Sequence, residues 1–250
     1  MQSSKIESGV QLFSRVTHKT FLAGINPNFF PEGGPLPNQV VEITGNPQTD
    51  KNDLLIDFIV KCILPNKYNN EWKGSAAILI NTEFQINLFK IIKVIETLIR
   101  NNGITDSRKD IIENSLKHLT IFNCYSSEEL EMTFYNLDKL IHGNENINLV
   151  VLDNIAAQFW ITKFDNNMLS YYHHSIKNFE ILYNAIKNLQ VLLIFVRHKK
   201  ISDNKKFSQK IDFRIEIEKD DDFKAFVTNY ENQATTCVSF KLNTVLEFEL

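Results

Sequence analysis

Glycine is scarce in this chain of 250 residues, which holds only 8 glycines where average usage would give about 17. The shortage argues against collagen-like sequences, flexible linkers and proteins with several glycine-rich phosphate-binding loops. Cysteine is also scarce, and Cys62, Cys124 and Cys237 are too scattered for a disulfide framework or a zinc site. We therefore expect no metal site and a reducing, intracellular compartment.

Long apolar runs and a large net charge are lacking too. The longest apolar candidate, residues 54–64, is interrupted by Asp57 and Lys61, so we expect no membrane-spanning segment. The first nine residues lack the basic and apolar regions of a secretory signal. With 27 basic and 30 acidic residues the formal net charge is −3, so any contact with nucleic acid must be local.

Short apolar segments alternate with helical patterns from residue 40 onward. The apolar segments predict five buried strands: Val40–Ile43, Ala76–Ile80, Leu119–Phe122, Ile147–Leu152 and Val191–Val196. Periodicity and capping residues predict helices over Asp53–Ile63, Ile86–Arg100, Ser126 or Ser127 to His142, and Ser175–Leu189. This alternation favours an α/β fold with a mostly parallel central sheet that helices flank on both faces.

The pattern changes after residue 210, where alternating and β-rich segments predict an antiparallel extension of about three strands on one edge of the sheet. Residues 1–39 hold a short amphipathic stretch and then a turn-rich segment. We therefore predict one core domain over residues 40–250 and a lead-in segment over residues 1–39 that packs on another surface.

The segment after the first predicted strand has the spacing of a phosphate-binding loop, G-x-x-x-x-G-K-[ST]. Gly45 and Lys51 match, whereas Asp50 replaces the second glycine and Asn52 replaces the Ser or Thr that would bind magnesium. A left-handed L-residue costs about 1–2 kcal/mol. The Asp50 carboxylate would also repel a phosphate charge by up to ~4 kcal/mol at ~4 Å. These residues therefore do not match the motif, although a predicted strand precedes the segment and a predicted helix follows it, as in a phosphate-binding loop.

Two carboxylates follow predicted strands. Asp153 ends the apolar run Leu149–Leu152, which is the Walker B form but also fits a buried strand followed by a capping residue. Glu83 comes just after the strand Ala76–Ile80, where an ATPase of this layout would place a water-activating carboxylate. A Glu near a helix N-terminus is also favoured by the helix dipole, so both interpretations stay open.

Several segments, taken together and in order, resemble the RecA-type recombinases and, within them, the small eukaryotic recombinase paralogs. They are residues 7–15, 62–65, 80–83, 152–161 and 243–248. The resemblance runs over nearly the whole chain and implies a RecA-like P-loop NTPase core. It further implies a nuclear role in homologous-recombination repair of DNA double-strand breaks, within a heteromeric complex of recombinase paralogs. The N-terminal helical DNA-binding domain of larger relatives is not expected before residue 40.

The departures from the family concentrate on the ATP site. The family loop reads Gly-x-x-Gly-x-Gly-Lys-Thr, and this chain keeps Gly45, Thr49 and Lys51 but has Gln48, Asp50 and Asn52 elsewhere in the loop. Asn81 replaces an acidic residue, and Lys199 stands where the family has a Gln that senses the γ-phosphate. The resemblance therefore implies a retained scaffold, weak binding of ATP and magnesium at most, and lost hydrolysis.

Self-assembling members of the family dock through a Phe-x-x-Ala tether, which does not occur in these 250 residues. By resemblance, this absence implies a subunit that docks through its own receptor surface and does not form filaments.

A basic segment over residues 197–210 follows the fifth predicted strand, where the family's second DNA-binding loop lies. The candidate contacts with single-stranded or branched DNA are Arg197, Lys199, Lys200, Lys205 and Lys206, which could release phosphate counterions. Phe207 could stack on a base. A solvated surface loop without a ligand explains the same residues equally well. We rate the adjacent His173 and His174 as a poor metal site because neighbouring side chains point different ways.

The leading hypothesis is therefore a recombinase-paralog subunit with a degenerate ATP site, acting as a structural and DNA-binding adaptor in repair. The first alternative is an active DNA-dependent ATPase with an unconventional loop, using Lys51, Asp153 and Glu83 in the usual roles. The second is a RecA-fold scaffold unrelated to repair.

Overall fold

The computed structural model describes residues 9, 22–46, 49, 51–165, 170–198, 207–219, 222–242 and 245–248. Within these ranges one sheet contains nine strands: β1 Val40–Gly45, β2 Ala76–Asn81, β3 Leu119–Asn123, β4 Ile147–Asp153, β5 Leu192–His198, β6 Phe213–Lys219, β7 Phe223–Asn229, β8 Ala234–Leu242 and β9 Leu246–Phe248. The described helices are α1 Lys51–Ile63, α2 Leu88–Asn101, α3 Arg108–Leu116, α4 Ser127–Gly143, α5 Phe159–Asp165 and α6 Tyr171–Ile186.

The sheet is mixed, with the strand order β3-β2-β4-β5-β1-β6-β7-β8-β9. The strands from β3 to β6 in this order pair in parallel, and β7, β8 and β9 extend the sheet with antiparallel pairs. The predicted α/β class is therefore confirmed. The sequence pattern assigned β6 to the antiparallel extension, but β6 pairs in parallel with β1 and antiparallel with β7, so it joins the two parts.

Apolar layers cover both faces of the sheet because alternate residues of each buried strand point to opposite sides. One layer joins Val41 and Ile43 of β1 to α1 and α2, and the other joins Val40 to α4 and α6. Helix α1 lies at the centre of its layer, and 11 of its 13 residues are buried. The described part of the lead-in packs on that layer through the buried side chains Leu22, Ile25, Phe29 and Phe30.

The predicted helices are present, with shifted ends. Of the two predicted cap residues, Ser126 and Ser127, Ser126 caps α4, since its Oγ accepts a hydrogen bond from the backbone N–H of Glu129 at 3.2 Å. Helix α6 begins four residues before its predicted start, because Ser170 accepts from the backbone N–H of His173 and forms the cap there. The sequence did not predict α3 and α5, which are short.

The carboxyl ends of the central parallel strands meet at one edge of the sheet. Asn81 of β2 is paired with Asp153 of β4, and Gly45 of β1 is paired with His198 of β5, so these strands end at matching levels. Ligands of open α/β sheets bind outside the carboxyl ends of the strands. Gly45, Glu83 and Asp153 therefore lie at the edge where a ligand would bind.

Candidate functional site

Gly45 is the last residue of β1 and begins the predicted phosphate-binding loop. A Cβ atom at this position would lie 2.6 Å from the backbone oxygen of Ile217 and 2.7 Å from Thr49 Oγ1, so only glycine fits. This close approach accounts for one glycine in a chain that has few. Gln48 and Asp50 lie outside the described residues, and the expected effect of Asp50 on phosphate stays a prediction.

The Lys51 side chain turns back onto its own loop. Its ammonium donates to the backbone oxygens of Asn46 at 2.7 Å and Thr49 at 3.1 Å, and Thr49 Oγ1 lies 3.2 Å away. Lys51 is buried, at 3% exposure. A phosphate group at this position would have to compete with three oxygen acceptors for the same ammonium.

Asn52 occupies the position of the magnesium-binding hydroxyl, but its side chain faces a different partner. Its Nδ2 donates to Gln85 Oε1 at 2.8 Å, in the connection between β2 and α2. Asn52 therefore joins α1 to the neighbouring loop, and it brings no hydroxyl to the site.

Asp153 ends β4 as predicted and is buried, at 1% exposure. Among the described residues, no donor forms a hydrogen bond with either of its carboxylate oxygens. Burial raises the pKa of Asp153 to about 7, and the charge of Glu83 acts in the same direction, whereas His198 and Lys51 oppose the rise. Asp153 is thus a buried carboxyl group whose two oxygens have no hydrogen-bond partner among the described residues.

Glu83 is held by two side chains that sequence analysis did not assign to the site. His198 Nε2 donates to Glu83 Oε1 at 3.1 Å, and Asn154 Nδ2 donates to the same oxygen. The hydrogen bond from His198 is the largest cause of a lowered pKa at Glu83. A carboxylate with a lowered pKa is a poor proton acceptor, so Glu83 is badly suited to activate water.

Thr82 fixes the backbone between the two carboxylates. Its Oγ1 donates to the backbone oxygen of Asp153 at 2.5 Å and accepts from the backbone N–H of Asn154 at 2.8 Å. Its own N–H also donates to the Asp153 oxygen, at 2.7 Å. The ends of β2 and β4 are therefore joined by three hydrogen bonds through one residue.

Asn81 shows why an amide replaces the acidic residue that the resemblance leads one to expect. Its Nδ2 donates to the backbone oxygen of Ile86 and to Asn123 Oδ1, both at 3.0 Å, and its Oδ1 accepts from the N–H of Phe84 at 3.1 Å. A carboxylate accepts hydrogen bonds but cannot donate them. Asn81 therefore organises the β2–α2 connection in a way that an Asp or Glu could not.

The described residues do not fit a magnesium-bound triphosphate. Magnesium binds oxygen ligands in a strict octahedron, and of the two predicted carboxylates at this edge, Asp153 and Glu83, only Asp153 has both oxygens without a hydrogen-bond partner among the described residues. The Lys51 ammonium donates to loop carbonyls, and Glu83 is held by His198 and Asn154. No group of three or more His, Cys, Asp or Glu residues in the described ranges could hold a metal ion. No reaction step through bound nucleotide follows from this arrangement.

The prediction that Arg197 contacts DNA is wrong. Arg197 is 2% exposed, and its Nε donates to Glu42 Oε1 at 2.6 Å. Glu42 lies fully buried in β1, where an unpaired charge would be costly. Arg197 therefore neutralises Glu42 inside the sheet and does not face solvent.

The stacking role predicted for Phe207 is wrong for the same reason. Phe207 is 2% exposed and packs against Phe179 and Phe195, and the Arg197 guanidinium lies 4.6 Å from its ring centroid. The remaining DNA-contact candidates, Lys199, Lys200, Lys205 and Lys206, lie outside the described residues.

A concave surface runs along the outer edge of the sheet, between β3 and α4. It has a volume of about 560 Å³ and is lined by Phe122, Met132, Thr133, Asn136, Lys139, Leu140, Gly143 and Asn144. We call it the edge groove. Strand β3 is the first strand of the sheet order, and no described strand pairs with its outer side.

The described helices include none that is both long enough and apolar enough to cross a membrane.

Comparison with known proteins supports the resemblance predicted from the sequence. No protein-family model matches the chain. The chain is 24% identical over 160 residues to the protein named DNA repair protein XRCC2 of the mouse, Mus musculus. The match covers 64% of this chain and 55% of the mouse protein, so it spans about half the length of that relative. With the mixed sheet described above, the match is consistent with a RecA-like core.

Proposed function

We propose that this chain is a recombinase-paralog subunit that supports homologous-recombination repair of DNA double-strand breaks in the nucleus. One observation carries the proposal: 160 residues match a protein named for DNA repair, and those residues belong to a chain with a mostly parallel α/β sheet.

Loss of ATP hydrolysis is part of the proposal, and the candidate site supports it. Lys51 is bound by Asn46 and Thr49, and Glu83 is bound by His198 and Asn154. Both groups would have to leave these partners before they could act on a phosphate or on water. The chain would therefore serve as an adaptor.

Membership of a heteromeric complex of recombinase paralogs is the second part. The edge groove offers Phe122, Met132 and Leu140 beside a strand whose outer side has no described partner. An extended segment of another subunit could add to this edge by main-chain hydrogen bonds and place apolar side chains in the groove. Because the chain lacks Phe-x-x-Ala, it would receive such a segment and offer none, and it would not form filaments.

The third part of the proposal is contact with single-stranded or branched DNA through residues 197–210. The candidate residues that remain for this contact are Lys199, Lys200, Lys205 and Lys206. The contact between Arg197 and Phe207 brings the two ends of this segment together at 4.6 Å. Two fixed ends would limit the entropy lost when the lysines bind phosphate. Replacing all four lysines by Glu should weaken binding of single-stranded DNA and flatten its salt dependence. Unchanged binding would remove DNA contact from the proposal.

The repair role is tested by deleting the gene in the cells that carry it. We expect lower survival after ionising radiation and fewer recombination events at an induced double-strand break. The wild-type chain and Lys51→Ala should both restore survival, because the proposal needs no hydrolysis. The chain should also co-purify with recombinase paralogs from the same cells. Unchanged survival and recombination after deletion would refute the repair role.

An active DNA-dependent ATPase is the second candidate, and the Asp153 carboxylate favours it because its oxygens have no hydrogen-bond partner among the described residues. Asp153 lies near enough to Lys51 for the lysine charge to lower its pKa, as a nucleotide site would require. Titration calorimetry with ATP and magnesium, with and without single-stranded DNA, separates the candidates. Micromolar binding with turnover that Lys51→Ala abolishes would establish the ATPase and refute the adaptor.

A further inference from the structure

Five large apolar side chains are exposed together at the carboxyl ends of β2, β3 and β4. We call this surface the aromatic ledge. Its members and their exposed fractions are Phe84 40%, Tyr125 67%, Trp160 65%, Ile161 64% and Phe164 86%. Phe84 follows β2, Tyr125 follows β3, and the other three belong to α5.

The parts of the aromatic ledge are fixed to one another. The rings of Phe84 and Tyr125 stack with centroids 4.5 Å apart and an angle of 13° between their planes. Gln158 Nε2 donates to the backbone oxygen of Cys124 at 3.3 Å, and the hydroxyls of Ser127 and Thr162 lie 3.4 Å apart. These contacts hold α5 against the turn between β3 and α4, so the ledge is one surface.

Helix α5 has its apolar face outward. Trp160, Ile161 and Phe164 are more than 60% exposed, whereas Thr162 is half-buried against Ser127. A helix on the surface of a globular protein normally turns its apolar face to the core. In α5 only Phe159 turns to the core, at 3% exposure, and the other three apolar side chains form an exposed face, as is expected of a helix that a partner covers.

Two non-glycine residues with positive φ flank the aromatic ledge. Phe84 has φ of 58° and Gln158 has φ of 60°. A left-handed conformation costs about 1–2 kcal/mol for an L-residue, and strained residues of this kind cluster at binding and catalytic sites. Here the two conformations support the ring stack of Phe84 and the position of α5.

The exposed area suits a protein interface. With about 150–250 Å² for each large side chain, the exposed fractions give a patch of roughly 600 Å². Monomeric proteins rarely expose a larger continuous apolar patch. A standard interface buries about 800 Å² on each partner. The ledge would therefore supply most of one side of such an interface.

The charges around the aromatic ledge indicate the chemistry of the partner. Glu129 accepts from the N–H of Tyr125 at 2.7 Å, and Glu128, the residue before it at the start of α4, is exposed. Lys163 contributes one positive charge, 5.3 Å from the ring centroid of Trp160. Two exposed carboxylates against one ammonium disfavour a phosphate backbone. Aromatic faces beside carboxylates favour a guanidinium or ammonium group.

We infer that the aromatic ledge binds a partner protein through a segment that carries an Arg or Lys among apolar side chains. The apolar side chains of that segment cover α5, and its cation lies on the Tyr125 ring near Glu128. The ledge is a different surface from the edge groove, and the inference goes beyond the proposed role in repair without depending on it.

Site-specific photo-cross-linking in the cells that carry the chain tests the inference. The photoreactive amino acid benzoylphenylalanine replaces Phe164, or replaces Leu36 as a control that is 53% exposed and lies outside the ledge. The cross-linked peptides are then sequenced by mass spectrometry. We expect position 164 to join one segment of one other protein, with an Arg or Lys within a few residues of the cross-link, and position 36 not to join it.

A charge variant completes the test. Glu128→Lys should lower the cross-link yield from position 164 about five-fold, whereas Glu231→Lys, at an exposed position in the β7–β8 turn, should leave it unchanged. Immunoblotting for the chain shows that each variant is present at the wild-type level. Cross-links to nucleic acid, to another copy of this chain, or to the same set of proteins from both positions would overturn the inference. No cross-link at position 164 would overturn it as well.

Discussion

The two halves of the carboxyl edge of the sheet use their side chains in opposite ways. On the side of β1 and β5, the charged groups Lys51, Glu42 and Arg197 bind other groups of the same chain, and His198 of β5 binds Glu83, which follows β2. On the side of β3 and α5, the aromatic ledge exposes apolar side chains that no described residue covers. We call the first half the closed polar half.

This difference separates the two tasks that such an edge can perform. Catalysis needs polar groups that are free to meet a reacting atom, and in the closed polar half most of them are bound by neighbours. Recognition of a protein needs apolar surface that is free to be covered, and the aromatic ledge provides it. The contrast is what an adaptor derived from a nucleotide-binding scaffold would show.

The largest test of the closed polar half is Arg197→Ala. The variant leaves the carboxylate of Glu42 buried with only Arg214, whose Nε is 3.8 Å away. Breaking a buried ion pair typically costs about 3–5 kcal/mol, and we expect a loss of that size in the free energy of unfolding in urea. Arg108→Ala, at an exposed position of α3, is the control and should change it little. If Arg197→Ala and Arg108→Ala change the free energy of unfolding by the same small amount, the buried Glu42 carboxylate does not need Arg197 as its partner.

The second test concerns the pH dependence of stability. The pKa of Asp153 rises from 3.8 to about 7 on folding, so the folded state binds more protons than the unfolded state between these values. Its contribution to stability is fully present below pH ~4 and is lost as the pH rises towards 7, by up to ~4 kcal/mol. Asp153→Asn should remove this loss and stabilise the chain at pH 7.

Urea unfolding of both proteins at several pH values between 4 and 8 measures the effect. Glu83→Gln is the matched control. The pKa of Glu83 is lowered in the folded chain, so its carboxylate stabilises the fold above its ordinary pKa. This variant should therefore lower the free energy of unfolding at pH 7, where Asp153→Asn raises it. If Asp153→Asn leaves the pH profile unchanged, Asp153 is ionised in the folded chain and paired with a cation.

The third test is Gly45→Ala. The added methyl would meet the backbone oxygen of Ile217 at 2.6 Å, and overpacking of this kind costs about 1–3 kcal/mol. Gly143→Ala is the control, since a Cβ there has nothing within 4 Å. A lowered melting temperature for the first variant alone would confirm that the loop entrance is closely packed.

The smallest expected effect on stability belongs to the aromatic ledge. Phe164→Ser removes an exposed side chain from α5, and surface changes of this kind usually alter the free energy of unfolding by less than about 0.5 kcal/mol. Phe179→Ser, in the buried core, should destabilise strongly and is the control. A large loss in Phe164→Ser would mean that the ledge supports the fold, and the contrast between the two halves would disappear.

Local patterns were enough to predict the strands and the position of the site. The apolar segments before Gly45 and Asp153 were predicted as buried strands, and the carboxyl ends of such strands meet at one edge. The sequence predicts a cap at Ser126 or Ser127 because capping depends on residues three positions apart. These features are local in sequence, which is why the sequence alone indicates them.

Features that depend on distant pairs were missed. Arg197 lies in a basic segment, and only the burial of Glu42, 155 residues away in sequence, shows that it belongs inside. His198 contacts Glu83 across 115 residues, and no spacing rule connects them. The sequence does not indicate α5 because the helix has 7 residues, fewer than the roughly 11–18 over which helical periodicity can be recognised.

The position of β1 sets a constraint on how the chain is made. Val40 pairs with Leu193, which is 153 residues later, and β6 follows on the other side. At the usual rate of synthesis, about 5–20 residues per second, both edges of β1 stay unpaired for on the order of ten seconds, until β5 and β6 have been synthesised. An apolar strand with two open edges is a hazard for aggregation, so the newborn chain should depend on chaperones until β5 and β6 emerge from the ribosome.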